Sequence, residues 1–282
     1  MLSIMSIDVE DWFHILDVPS APDRSLWDSL PSHVEKNFMK LLDLLSLKGV
    51  QATCFFLGYI GNRFPGLVTE AVSRGHEVAS HGYDHRLVYQ MSAEEFCADA
   101  VRSKKLLEDI SGMPVKGYRS AGFSVTAETA WFFDKLMEAG YCYDSSVFPA
   151  RRGHGGLETN KYQPYVIKTD SGRILEFPIT LSDMLGMKMC FFGGGYLRLF
   201  PYPLVKHMGR KVLQEGRPVI FYVHPREIAP DHPRLSMGFK RRFKSYVNLQ
   251  TMEGKIKKIL RDFEVTSFEK FITENPWLLT AD

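Results

Sequence analysis

The stretch Ala52-Thr53-Cys54-Phe55-Phe56-Leu57-Gly58 is a near-continuous apolar run between turn-forming residues. A strand with one wet face alternates apolar and polar residues. A strand without alternation is buried on both faces, as in a parallel sheet covered by helices. Pro218 to Val223 is a second run of this kind. The segments around them alternate in the matching way. Leu2 to Ile7 predicts a strand. Ser32-His33-Val34-Glu35 reads as a capping box, followed by a helix to about Leu47 with Val34, Phe38, Leu41, Leu42 and Leu45 at helical spacing. Phe64-Pro65 opens a helix that Gly75 closes. His76 to Ser80 is a strand, and Ser92-Ala93-Glu94-Glu95 caps a helix running towards Ile110. Pro114 to Tyr118 is a strand, Ala127 to Ala139 a helix, Tyr141 to Pro149 a strand and turn. Arg151 to Gln163 reads as a long loop and Ile174 to Phe177 as a strand. Pro203 to Gln214 is a helix, as is Thr251 to Phe263; a strand near Glu264 to Thr266 and a helix from Ser267 close the chain. This alternation predicts one α/β domain with a mostly parallel sheet or barrel.

A chain of 282 residues with 45% hydrophobic content can bury a sizeable core. A formal net charge of +2 argues against a dedicated nucleic-acid binder. The basic cluster Lys240, Arg241, Arg242 and Lys244 reads as a solvated face. No apolar run is long enough to span a membrane. The N-terminus reads as a strand and not as a signal peptide, which gives the expectation of a cytoplasmic protein. Cys54, Cys97, Cys142 and Cys190 follow no paired spacing and are expected as reduced thiols.

In parallel α/β folds, catalytic groups gather at the C-terminal ends of strands. Three such ends carry polar side chains here. The first runs into Asp8-Val9-Glu10-Asp11. The third runs into Ser80-His81-Gly82-Tyr83-Asp84-His85, whose two imidazoles can meet at one point if the backbone between them makes a helical turn. A late strand delivers His224. Two imidazoles and a carboxylate suit a divalent metal, with a second carboxylate as base and a separate histidine as acid; amide hydrolysis needs that set. His76, at the other end of its strand, reads as structural.

The chain resembles the polysaccharide deacetylases of the NodB-homology, carbohydrate esterase family 4 type, and within them the exopolysaccharide-locus branch. The resemblance rests on Asp8 to Phe13, Ser80 to His85, Tyr118 to Ser124, Asp144 to Pro149, His224-Pro225 and the tract Tyr246-Val247-Asn248-Leu249. It implies a distorted (β/α)7 barrel forming a single domain over residues 1–282, with 230–282 as a branch-specific C-terminal region. It implies a metal-dependent hydrolase removing N-acetyl groups from an amino sugar in a polysaccharide or its precursor. Asp8 then matches the base, Arg119 the arginine holding it, and His224 the general acid oriented by Asp144. His81 and His85 match the metal histidines, and zinc is the favoured cation. The family's usual start has adjacent aspartates; here Asp11 is preferred to Glu10 as the metal carboxylate. Arg119-Ser120-Ala121 departs from Arg-x-Pro and loses a fixed φ. An amidohydrolase of non-sugar C–N bonds and an inactive carbohydrate-binding homologue are the alternatives. Trp12, Phe13, Phe123, Phe148 and Tyr196 are candidates for stacking on a sugar.

Overall fold

The structure, a computed structural model, describes residues 2–16, 18–150 and 155–279. Its strands and helices follow in the order β1 (Ser3–Val9), α1 (Val34–Ser46), β2 (Thr53–Phe56), α2 (Gly58–Arg63), α3 (Pro65–Ser73), β3 (Glu77–Ser80), α4 (Ala93–Ser111), β4 (Gly117–Tyr118), α5 (Phe132–Glu138) and β5 (Tyr143–Asp144). They continue with β6 (Tyr165–Thr169), β7 (Gly172–Glu176), β8 (Leu181–Met184), β9 (Met187–Cys190), α6 (Gly194–Leu199), α7 (Tyr202–Gln214), β10 (Ile220–Val223), α8 (Phe239–Tyr246), α9 (Met252–Asp262), β11 (Val265–Thr266) and α10 (Phe268–Glu274).

The main sheet runs β10-β1-β2-β3-β4-β5-β7, with every neighbouring pair parallel. β6 adds to β7 antiparallel, and β11 pairs with the start of β1. Between β7 and β10 a side chain continues the wall: Thr180 Oγ1 donates to Pro218 O at 3.2 Å and accepts from Ile220 N at 2.9 Å.

Period-two alternation sorts β1. Met5, Ile7 and Val9 join the large core beneath the helices, with the α1 side chains Val34, Phe38, Leu41, Leu42 and Leu45. Each such buried side chain contributes roughly 1.5–3 kcal/mol. Ile4 faces inward into a smaller cluster with Phe55, Ala79, Leu175 and Ile220, and Phe268 of α10 closes that cluster. Ser6 and Asp8 share the inward face of β1. The strand therefore hands its carboxylate to the inside at its C-terminal end.

Several elements differ from the sequence reading. The Ser32 box does not cap α1: His33 is the N-cap without a side-chain bond, and Ser32 Oγ donates to Asp11 Oδ2 at 2.5 Å. The box at Ser92 does form, with Glu95 answering it. α2, β6 and the β8–β9 hairpin are additions to the sequence reading; the hairpin turn holds Leu185 at φ 54° and Gly186 at φ 80°, an arrangement that leucine rarely enters. Residues 151–154 of the expected loop lie outside the described residues, and 155–163 carry no helix or strand. His76 is structural as read: Nδ1 accepts Ala52 N–H at 3.1 Å, and burial lowers its pKa to about 4. All four cysteines are free. No helix among the described residues is long and apolar enough to cross a membrane.

Candidate active site

The ends of β1, β3, β4 and β10 converge. His81 follows β3 directly, and its N–H extends the ladder to Phe56 O at 2.8 Å. The backbone from His81 to His85 is not helical. It turns through left-handed residues, Gly82 at φ 75° and His85 at φ 55°. A Cβ at Gly82 would stand 3.1 Å from Asp99 Oδ2 and 3.2 Å from Tyr118 Oη, so both the conformation and the space favour glycine. Left-handed backbone at a histidine is strained and clusters at functional sites. Here it carries the second ring back to the first.

Glu10 Oε1 lies 3.1 Å from His81 Nε2 and 3.0 Å from His85 Nε2. Ligand atoms of these three buried residues fall within 4.8 Å of one another. His81 Nδ1 donates to Arg119 O at 2.7 Å, which leaves the Nε2 lone pair facing Glu10, the usual outer-shell arrangement around a metal. Among the described residues, buried His85 Nε2 makes no well-aligned hydrogen bond, although Glu10 Oε1 lies 3.0 Å away. This orphaned nitrogen and the Glu/His/His donor set fit a divalent cation. Burial pushes the Glu10 pKa up, but His85, His224 and His81 outweigh it and hold the carboxyl well below its ordinary value.

The preference for Asp11 as the metal carboxylate is corrected. Asp11 is 2% exposed and already engaged: it accepts Trp12 N–H at 2.8 Å, His33 N–H at 3.0 Å and the Ser32 hydroxyl. It ties the loop after β1 to the start of α1, where helix N–H groups lack intrahelical partners. Glu10, one residue earlier, turns to the histidines.

Asp8 Oδ1 accepts from Arg119 Nη1 at 2.6 Å, and the same nitrogen donates to Ser6 Oγ at 2.8 Å. The guanidinium is fully buried, lies 4.2 Å over the Phe55 ring, and also donates to Ser145. Without proline at position 121, the loop is held by Ser120 N–H on Ser146 Oγ at 2.8 Å and by Ser124 N–H on Ser120 Oγ at 3.2 Å.

His224 Nε2 sits 3.8 Å from both Asp8 Oδ2 and Glu10 Oε1. Its Nδ1 faces Glu227 Oε2 at 3.1 Å, and its backbone N–H donates to the same oxygen. Glu227 is fully buried and bonds Arg198 Nη1. Burial raises the Glu227 pKa, yet Arg198 and His224 bring it to about 2. Burial works against the charged His224 ring, but Glu227, Glu10 and Asp8 raise its pKa overall. At the start of α6, which carries Arg198, Gly193 packs against Tyr222, where a Cβ would lie 2.1 Å from the ring. Glu227 was not read from the sequence; its signal was an acid three residues after His224, beyond a proline that starts a helical turn.

Asp144, expected to orient His224, belongs elsewhere. It accepts from Ser146 N and Oγ at 3.1 and 2.6 Å and faces Glu176, its register partner on β7. Both acids are fully buried. Burial raises Asp144 to about 6, and burial beside Asp144 raises Glu176 well above its ordinary value. The fold thus binds protons that the unfolded chain releases, so stability is fully present below the unfolded carboxylate pKa and falls as pH rises through the folded values. Glu176→Gln should remove much of that loss. Melting at pH 5 and pH 8 should show a wild-type drop of a few kcal/mol, as an order of magnitude, and a clearly smaller one in the variant.

Asp8, Glu10, His81, His85 and His224 line a cavity of about 540 Å³ together with Phe123, Tyr196 and Tyr222. Of the sugar-stacking candidates, Phe123 and Tyr196 face it; Trp12, Phe13 and Phe148 are buried packing residues away from its lining.

Residues 25–141 match the polysaccharide deacetylase family, and 145–273 match a domain of unknown function, DUF3473. The sheet crosses the junction, since β5 pairs with β7 and β1 with β10. The chain is 26% identical over 152 residues to a peptidoglycan deacetylase of Helicobacter pylori, covering 54% of this chain and 47% of that protein. It is 29% identical over 80 residues to a peptidoglycan-N-acetylglucosamine deacetylase of Bacillus cereus, covering 28% and 29%. The chain thus spans less than half of these curated relatives. A crystal structure of a candidate polysaccharide deacetylase from Mycobacterium smegmatis superposes with a TM-score of 0.65 at 18% identity, covering 100% of this chain and 91% of that one. Puue allantoinase superposes with a TM-score of 0.60 at 15% identity, covering 94% and 86%. These superpositions establish a shared α/β fold. Residues 25–141, built on the sheet that gathers these strand ends, thus form a polysaccharide deacetylase domain by their family match, and the whole chain shares its α/β fold with polysaccharide deacetylase structures.

Proposed function

We propose that the protein is a metal-dependent N-deacetylase of an amino sugar in a polysaccharide or its precursor, of the exopolysaccharide-locus kind that its motifs resemble. The observation that carries this reading is the convergence of Glu10, His81 and His85 with a carboxylate, Asp8, and an imidazole, His224, on either side. Glu10, His81 and His85 would hold the cation, and zinc suits the donors. When bound, the cation supplies Lewis-acid polarisation of the acetamide carbonyl and acidifies water. Asp8, fixed by Arg119, takes the proton from the attacking water at Oδ2, the oxygen that Arg119 leaves free. His224 carries a proton on Nε2, stabilised through Nδ1 by Glu227, and delivers it to the departing nitrogen. The products are acetate and the free amino sugar. Ser6 and Ser145 keep the Arg119 guanidinium aligned.

Acetate release from N-acetylglucosamine oligomers tests the reading. Activity should vanish after dialysis against a chelator and return with zinc, and cyclic ureides should not be opened. Absence of acetate release from any acetylated sugar with zinc present would favour an inactive carbohydrate-binding homologue. Ureide opening would favour an amidohydrolase.

A further inference from the structure

The cavity has a second chemical character. Asp8 and Glu10 are the carboxylates that line it, whereas Arg198, Arg226, Arg241 and Lys244 also line it. Both acids are already matched, Asp8 by Arg119 and Glu10 by the imidazoles. The cations are matched unevenly. Arg198 is held by Glu227 and by Lys244 O at 2.7 Å, and Arg241 donates to Leu16 O. Arg226 differs: its Nε and Nη1 are buried without a hydrogen-bond partner among the described residues. A guanidinium with desolvated, unpaired N–H groups is unfavourable unless something accepts from it. Arg226 stands in the helical turn after β10, two residues from His224, and lines the cavity, so a small side-chain shift would turn those N–H groups towards an acceptor carried by a molecule already there. On α8, Arg241 and Lys244 are three residues apart and share the cavity side. Lys240 and Arg242 do not line it. The basic cluster is therefore split, and only half of it is the solvated face that its composition suggested.

We propose that the cavity binds an oxyanion carried by the sugar chain near the reacting acetamide, with Arg226 as its principal partner and Lys244 as an outer one. The substrate class is an acidic N-acetylated glycan, bearing a carboxylate or a phosphate diester on or beside the acetamido sugar. Planar guanidinium groups favour both anions. This rests on the deacetylase reading above.

Three oligosaccharides of equal length test it: a neutral N-acetylglucosamine oligomer, one alternating N-acetylglucosamine with glucuronate, and an N-acetylglucosamine 1-phosphate oligomer. One or both acidic oligomers should exceed the neutral one in kcat/KM by about 10- to 100-fold at low salt, as charged hydrogen bonds allow, and the advantage should shrink as salt rises. Whichever acidic oligomer is preferred identifies the anion. Arg226→Met should lower the acidic-to-neutral ratio by about tenfold or more, and Lys244→Met by less. The paired variant Lys240→Ala/Arg242→Ala, with two cations removed outside the cavity, should keep the ratio. Calorimetry of the acidic oligomers on zinc-free protein reads binding without chemistry. Acetate release from the neutral oligomer with no acidic preference overturns the anion site and leaves the deacetylase reading standing. Arg226-dependent binding without acetate release from any oligomer upholds the anion site and removes the deacetylase reading. An acidic preference untouched by Arg226→Met overturns the assignment.

Discussion

Alanine at His224 should lower deacetylation turnover by roughly 10²–10⁴-fold while zinc affinity stays close to wild type. The expectation follows from position. His224 Nε2 is 3.8 Å from Glu10 Oε1, outside ligand distance, and 3.8 Å from Asp8 Oδ2. Its other nitrogen is committed to Glu227. Calorimetric zinc titration and acetate release separate the two effects; unchanged turnover would remove His224 from the mechanism. A Glu227→Gln variant should move the alkaline limb of the pH–rate profile to lower pH. The charged ring is the proton donor, so activity falls as pH rises through the His224 pKa. That pKa is raised by Glu227, Glu10 and Asp8 against burial. Losing the nearest negative charge lets burial favour the neutral ring. The variant also leaves Arg198 buried without its counter-charge, a change worth about 3–5 kcal/mol. The companion variant Arg198→Met/Glu227→Gln removes that charge and should show the same shift of the limb.

The second large effect divides two adjacent acids. Glu10→Gln should weaken zinc binding by more than about a hundredfold, because even outer-shell changes cost about 10–100-fold. Asp11→Asn should leave zinc affinity near wild type and lower stability instead. Its carboxylate accepts from Trp12 N, His33 N, Val34 N and Ser32 Oγ, and hydrogen bonds to a charged acceptor contribute about 1.5–3 kcal/mol each. Zinc titration and thermal melting of both variants check the division. Loss of zinc affinity in Asp11→Asn with an intact melting curve would restore Asp11 to the ligand set.

Much of this site was legible as a set of strand ends. The apolar runs around Phe55 and Phe221 read as strands of a buried parallel sheet, in which polar residues following such runs emerge on one face. That reasoning found Asp8, His81, His85 and His224 and, with the family likeness, Arg119. The pairing of Asp144 with His224 did not hold, because Glu176 arrives beside Asp144 from the neighbouring strand. Nothing near Asp144 in the chain announces Glu176. The convergence of His81 and His85 comes from left-handed backbone and not from the helical turn that their spacing suggests.

By itself, the sequence determined the alternation of strands and helices and which chemistry stands at each strand end, since both depend on local periodicity. The tertiary structure decided which acid does what. Glu10 and Asp11 have nearly the same local surroundings, and the free N–H groups at the start of α1, 22 residues further on, capture one and leave the other to the histidines. Glu227 likewise became the partner of His224 only when Arg198 arrived to balance its charge. Hydrogen-bond donors and counter-charges brought in from distant segments settle such choices, and no window of the chain contains them.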